Sequence, residues 1–258
     1  MRLSFLFLLF SLLSLFPIFA ETSLSNVSAT PQSTDDTTFV VSSPRFSATL
    51  HDGIGQEVIC WRGLTLGKGD VAEADWEMGA LTLLFPGYPT AETFVTTRDT
   101  ASQVITTNIV AHGLDFERQL FIYTKKNHSV LVHHLQTAEG SRSMNFRIAL
   151  SNERVEAERV GSSGQKMLLY RYADSTAYRE TLLYVKLSDD GAAIADDKGI
   201  RVIDATNVTL YLITGVRPIR TLSDHDKHDY TPSRLHRDLL SRLFTIVVKP
   251  YERLKPRQ

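Results

Sequence analysis

Leu114-Asp115-Phe116-Glu117-Arg118-Gln119-Leu120-Phe121-Ile122 alternates apolar and polar residues with a period of two. Successive side chains of an extended chain point to opposite faces, so Leu114, Phe116, Leu120 and Ile122 line one face of a strand. Arg118 alone interrupts that face. Met144, Phe146, Ile148 and Leu150 alternate with Asn145, Arg147 and Ala149 in the same manner. Further strands are expected over 78–85, 104–111, 129–136, 166–172, 181–187, 199–203 and 208–214. Turn-forming residues separate them: Pro86-Gly87, His112-Gly113, Gly161-Ser162-Ser163-Gly164, Ser188-Asp189-Asp190-Gly191 and Asp197-Lys198-Gly199. Many short strands at close spacing without a long helical pattern predict an all-β fold, a large antiparallel β-sandwich. Its strands are expected from about residue 39 to 222, with Phe116, Leu120, Phe146, Ile148, Leu210 and Leu212 facing the core.

The tail departs from this pattern. Leu235, Leu239 and Leu240 share one face of a short C-terminal helix expected over 232–240, beginning at Pro232, and a final strand is expected over 243–248. The other end departs too. Residues 3–16 are almost unbroken Leu and Phe behind Met1 and Arg2, with Pro17-Ile18-Phe19-Ala20 after them, which is the pattern of a signal peptide over 1–20. The apolar stretch falls short of the roughly 20 residues that span a bilayer. Cleavage after Ala20 removes Arg2 and takes the formal charge from −1 to −2. Residues 21–38, rich in Ser, Thr, Asp and Asn, read as a flexible leader, and 39–258 as the sandwich domain. The expected location is secreted or periplasmic, with no membrane span after signal cleavage.

Composition narrows the function. With 28 basic and 29 acidic residues there is no electrostatic excess to neutralise a polyphosphate, which argues against nucleic acid as a partner. The single cysteine, Cys60, forms no intrachain disulfide; beside Trp61 it reads as a small core residue rather than a nucleophile. His133-His134 resembles a metal pair, but adjacent strand residues face opposite ways and cannot share an ion, so both read as half-buried histidines. The loop Asp224-His225-Asp226-Lys227-His228-Asp229 is richer in ligand types, although Lys227 opposes a cation. Gly67-Lys68-Gly69 lacks the remaining glycine and the Lys-Ser/Thr pair of a phosphate loop. Gly161-Ser162-Ser163-Gly164 reads as a hairpin tip rather than a nucleophile elbow. Asn26, Asn127 and Asn207 stand in Asn-x-Ser/Thr acceptor sequences. No catalytic, cofactor-binding or metal-ligating residue is assigned from these patterns, and no cofactor is implied.

An ordered set of segments carries a family resemblance. Met78-Gly79-Ala80-Leu81-Thr82-Leu83-Leu84-Phe85 comes first, then Phe94-x-x-x-Arg98-Asp99-x-Ala101, then Gly113-Leu114-Asp115-Phe116-Glu117-Arg118-Gln119-Leu120-Phe121, then 129–135. In order and spacing these resemble the N-terminal β-sandwich domain of glycoside hydrolase family 95, the α-L-fucosidase and α-L-galactosidase family. In the tail, His236, Leu243-Phe244, Val247 and Glu252-Arg253-Leu254 are similar to that family's segment of the same spacings. Leu239 and Leu240 stand where the family has Asp-Tyr, and Ile246 where it has Arg. The family's opening Gly-rich run has no counterpart over 39–75.

The resemblance implies a secreted, non-catalytic sandwich module associated with carbohydrate processing or binding, because the family's acid and water-activating residues belong to a helical barrel that follows the sandwich. Its implied partners are carbohydrate or a separate catalytic chain. A stand-alone glycoside hydrolase with an unrecognised site, and an inactive truncated remnant, are the alternatives. Leu239 and Leu240 add apolar surface to the tail, from which self-association through the C-terminal helix is expected.

Overall fold

The computed structural model describes residues 38–43, 46–63, 76–87, 90–125, 128–151, 158–161, 166–173, 177–188, 190–218 and 232–256. The signal and leader segments up to residue 37, Asn26, Gly67-Lys68-Gly69, Asn127, Ser162-Ser163-Gly164 and the Asp224–Asp229 loop lie outside them. The described residues belong to one compact unit.

Two antiparallel sheets face each other. The first has seven strands in the order β1 (Thr38–Ser43), β2 (Phe46–His51), β3 (Gln56–Gly63), β4 (Trp76–Leu84), β9 (Met144–Ser151), β14 (Gly199–Ala205), β13 (Ala192–Asp196). The second has eight, in the order β10 (Glu158–Gly161), β11 (Met167–Ala173), β12 (Ala177–Leu187), β15 (Asn207–Pro218), β8 (His128–Thr137), β7 (Leu114–Lys125), β6 (Val104–Ala111), β5 (Thr93–Asp99). The sandwich expected from sequence is therefore present. Phe116, Leu120, Phe146, Ile148, Leu210 and Leu212 are all buried in the core between the sheets. The β6–β7 hairpin turns on His112 and Gly113, both at positive φ (50° and 78°), which matches the twist of its strands.

The tail corrects the expected helix and strand. Pro232–Val247 is one continuous helix, α1, and the strand expected over 243–248 does not form. Leu239, Leu243, Ile246 and Val247 recur at helical spacing and are buried together, and this periodicity prevails over the β-branched run Thr245-Ile246-Val247-Val248. A 3-10 turn, Tyr251–Arg253, follows. The molecule thus has a third layer. Helix α1 lies on the outer face of the eight-stranded sheet, where Phe121, Val130, Val132, Leu182, Tyr211 and Ile213 form a second core with Leu239, Leu243 and Ile246. Gly215 on β15 lets the helix approach, since a Cβ there would stand 2.9–3.1 Å from side-chain carbons of Leu235 and Leu239. Leu239 is buried and Leu240 is half-buried against the same core, so most of the apolar surface from which self-association was expected packs on the sheet.

Strands β12, β15 and β8 therefore bury both faces. In β8, Leu131, His133 and Leu135 point inward while Val130, Val132 and His134 point to the helix layer. No helix among the described residues is long and apolar enough to cross a membrane.

Candidate functional site

Adjacent positions of β8 lead to the two polar constellations of interest. His133 enters the space between the sheets, whereas His134 faces outward, and both are buried rather than half-buried. Strand geometry thus places the two imidazoles on opposite faces, as the sequence predicts.

Inside, Arg118 of β7 interrupts the apolar face because it meets two carboxylates, Glu57 of β3 in the opposite sheet and Asp52 of the β2–β3 turn. Its Nη2 donates to Asp52 Oδ1 at 2.6 Å, and Nη1 lies 2.8 Å from Glu57 Oε2. The His133 Nε2 lies 3.1 Å from Glu57 Oε1, and its Nδ1 lies 3.1 Å from the Gln119 carbonyl oxygen. Thr96 and Thr107 donate to Asp52 Oδ2. Phe85, Phe94 and Phe116 surround the guanidinium, their ring centres 5.6–5.9 Å from its carbon. Burial alone pushes the Glu57 carboxyl up, but the charges of Arg118 and His133 and the His133 hydrogen bond outweigh it, leaving it below its ordinary value. Arg118, Asp52 and Glu57 have side chains at most 1% exposed. A substrate does not reach these acids, so the cluster ties the sheets together rather than forming a glycosidase pair.

Outside, beyond the C-terminal end of α1, a cleft of about 250 Å³ opens over the ends of β8, β15 and β12. It is lined by His134, Gln136, Lys186, Leu187, Ser188, Asn207, Thr209, Tyr211, Tyr251 and Glu252. The Tyr251 ring stacks on His134 with centres 3.8 Å apart and planes 16° apart. Its hydroxyl donates to Gln119 Oε1 at 2.5 Å, and Gln119 Nε2 donates to Glu117 Oε1 at 2.7 Å, which fixes the ring from behind. His134 Nδ1 lies 2.9 Å from Thr209 Oγ1. The Lys186 ammonium donates to the Val247 carbonyl at 2.9 Å, satisfying one of the open carbonyls at the helix end. Lys249 Nζ donates to the Tyr123 hydroxyl at 2.6 Å, a second tie between tail and sheet. The cleft wall is thus held by side chains from β7, β8, β12, β15 and the tail.

Burial pushes the His134 pKa down to about 4, helped by the charges of His133 and Lys255 and opposed by a hydrogen bond with Gln136. Burial likewise raises Tyr211 to about 12 and raises Tyr251. The cleft therefore presents a neutral imidazole and neutral phenols at pH 7, with Glu252 as the one carboxylate among its lining residues.

The pH consequence has a definite sign. Because the folded-state pKa of His134 lies below the ordinary 6.5, the unfolded chain takes up its proton first, and stability present above pH 6.5 is lost as pH falls towards 4. The loss from this residue amounts to up to about 3 kcal/mol. Glu57, also lowered, adds a second loss below its ordinary value of 4.5. Melting temperatures from pH 7.5 to 3.5 should fall in both limbs for the native protein, and His134→Gln should flatten the limb between 6.5 and 4.5. Equal slopes for variant and native protein would contradict the assignment.

Other residues singled out in the sequence have structural places. Cys60 is half-buried on the outer face of the first sheet, not in the core, because alternation gives the inward position to Trp61. Asp99 Oδ1 accepts the Ala101 amide at 2.9 Å and organises the β5–β6 turn. His236 Nδ1 lies 2.7 Å from Glu180 Oε1, and Arg171 Nε donates to the other oxygen of that buried carboxylate at 3.0 Å. Asn207 lies in the cleft. Among the described residues no group of three or more His, Cys, Asp or Glu side chains is placed to hold a metal. Tyr251, Gln136 and Lys186 carried no sequence signal, since the cleft is assembled from segments far apart in the chain.

Comparison with known proteins leaves the family open. No family model matches the chain. No curated protein matches it either. Among solved structures it is similar to a "Putative kojibiose phosphorylase from human microbiome", with a TM-score of 0.43 and 7% identity over 85% of this chain. The chain spans about a third, 35%, of that protein's length.

Proposed function

We propose that this chain is a secreted, non-catalytic β-sandwich module that binds carbohydrate in the His134–Tyr251 cleft. The observation that carries the reading is the lining of the cleft. Gln136 and Asn207 offer planar amides, Ser188 offers a hydroxyl, and Tyr251 offers apolar ring surface. Sugars present the matching chemistry, hydroxyls around a ring whose faces are C–H. A volume of about 250 Å³ suits a single ring and is smaller than the ~300–1,000 Å³ of drug-sized sites. The resemblance to the glycoside hydrolase family 95 sandwich supports the same class and suggests L-fucose, which is 6-deoxy-L-galactose, as the first probe, with D-galactose as the comparison sugar. Glycoside hydrolysis uses two carboxyl groups flanking the scissile bond. The cleft supplies Glu252 alone, and the pair Asp52 and Glu57 is sealed between the sheets.

Isothermal titration with L-fucose and D-galactose, alongside their chromogenic α-glycosides, tests the proposal. Saturable binding of at least one sugar without release of chromophore is expected, weakened about tenfold or more by Tyr251→Ala. Gln136 is exposed and its tie to the interior is the hydrogen bond with His134, so Gln136→Ala should weaken binding while lowering the melting temperature by no more than about 2–4 °C. Turnover abolished by a single Asp or Glu substitution would overturn the non-catalytic reading.

A further inference from the structure

Five described large apolar side chains are exposed, and they are not scattered evenly. Val40, Val95 and Ile194 lie singly on the edge strands β1, β5 and β13. Phe244 and Val248, 47% and 75% exposed, stand one turn apart at the end of α1. Phe244 is the one aromatic among the five. Its ring meets Tyr184 of β12 edge to face, with centres 6.0 Å apart. Tyr184 and Lys186 share one face of β12, because every second residue of a strand shares a face, and Ser188 follows immediately past the strand's end. Lys186 holds the carbonyl of Val247, the residue before Val248, and Lys186 and Ser188 already line the cleft. A row therefore runs from the cleft at Ser188 past Lys186 and Val248 to Phe244 and Tyr184. Four residues of strand measure about 13 Å.

We propose that the cleft and the Phe244 ring are two subsites of one track along β12, so that the site takes an oligosaccharide rather than a single sugar. This rests on the carbohydrate reading of the cleft. The terminal ring occupies the pocket over His134 and Tyr251, where the amides and hydroxyls lie. The next rings pass Lys186, whose ammonium has donors beyond the one given to Val247, and a further ring lays its C–H face on Phe244. An exposed aromatic that contributes little to the helix packing below it has the placement this requires. Leu239, Leu243 and Ile246 make that packing from the opposite side of α1.

Titration of the purified protein with L-fucose, D-galactose, 2′-fucosyllactose and β-1,4-galactotriose, each against native protein, Phe244→Ala and Tyr251→Ala, tests the track. The trisaccharide matching the preferred single sugar should bind about tenfold more tightly than that sugar. Phe244→Ala should remove most of this gain and leave the single sugar unaffected, whereas Tyr251→Ala should weaken both. Melting curves confirm that Phe244→Ala is folded. Equal affinity for ring and chain, or a Phe244→Ala effect equal on both, overturns the track and leaves the cleft standing; failure of all four probes to bind overturns both. Sedimentation equilibrium gives the remaining outcome: a dimer dispersed by Phe244→Ala, with sugar binding unchanged, assigns the face to a second copy of this chain and overturns the track.

Discussion

Arg118→Met should lower the unfolding free energy by about 3–5 kcal/mol, read as a fall in the urea midpoint. The substitution preserves most of the apolar stem, so little packing is lost. It leaves Asp52 and Glu57, both buried, without the guanidinium that neutralises them. Breaking a buried ion pair from one side strands a charge at low dielectric, which costs far more than the intact pair contributes. The accompanying test follows from the same physics. Arg118→Met combined with Asp52→Asn and Glu57→Gln removes the stranded charges, keeps the acceptor for Thr107, and should recover a large part of the loss. A single substitution costing less than about 1 kcal/mol, or a triple variant no better than the single, would show that the cluster is not the clamp described.

Leu243→Ala should cost about 2–5 kcal/mol, the range for deleting a fully buried leucine and leaving a cavity. Leu243 is completely buried under α1, against the outer face of a sheet that would otherwise expose Val130, Val132 and Ile213 to water. The helix is therefore part of the folding unit and not an appendage. The loss should occur in one cooperative transition seen alike by far-UV circular dichroism and aromatic fluorescence. Phe244→Ala, one residue along on the exposed side, should cost less than about 1 kcal/mol. Separate melting of the helix in Leu243→Ala, or equal costs at 243 and 244, would contradict the three-layer architecture.

Much of the sandwich was legible because its strands alternate. The segment Leu114–Ile122 sits within β7, with its face where expected, and the interrupting Arg118 marks the ionic cluster. Its partners were not legible, since Glu57 lies on the opposite sheet and Asp52 in that sheet's β2–β3 turn, and only the fold brings them near. Strand β2 did carry a signal, with Phe46, Ala48 and Leu50 buried and Ser47, Thr49 and His51 less so, but alanine and histidine blur the contrast. The edge strand β13, Ala192–Asp196, is short and alanine-rich and carries almost none. The third layer had left a trace too. Leu210-Tyr211-Leu212-Ile213 is apolar on both faces, which a strand needs only when something covers each side. The covering helix was foreseen in its first half alone, because Thr245-Ile246-Val247-Val248 favours a strand locally. The cleft could not be read from sequence at all, as Tyr251 reaches His134 only after the tail has folded back over the sheet.

We propose the His134–Tyr251 cleft as the carbohydrate site. Diffraction from crystals soaked in 2′-fucosyllactose and in β-1,4-galactotriose tests it directly. The account predicts a sugar ring over the His134–Tyr251 stack, its hydroxyls within hydrogen-bond reach of Gln136 and Asn207, and the chain running along β12 towards Phe244. A sugar bound elsewhere, or one whose glycosidic oxygen lies between two carboxylates of this chain, would contradict it.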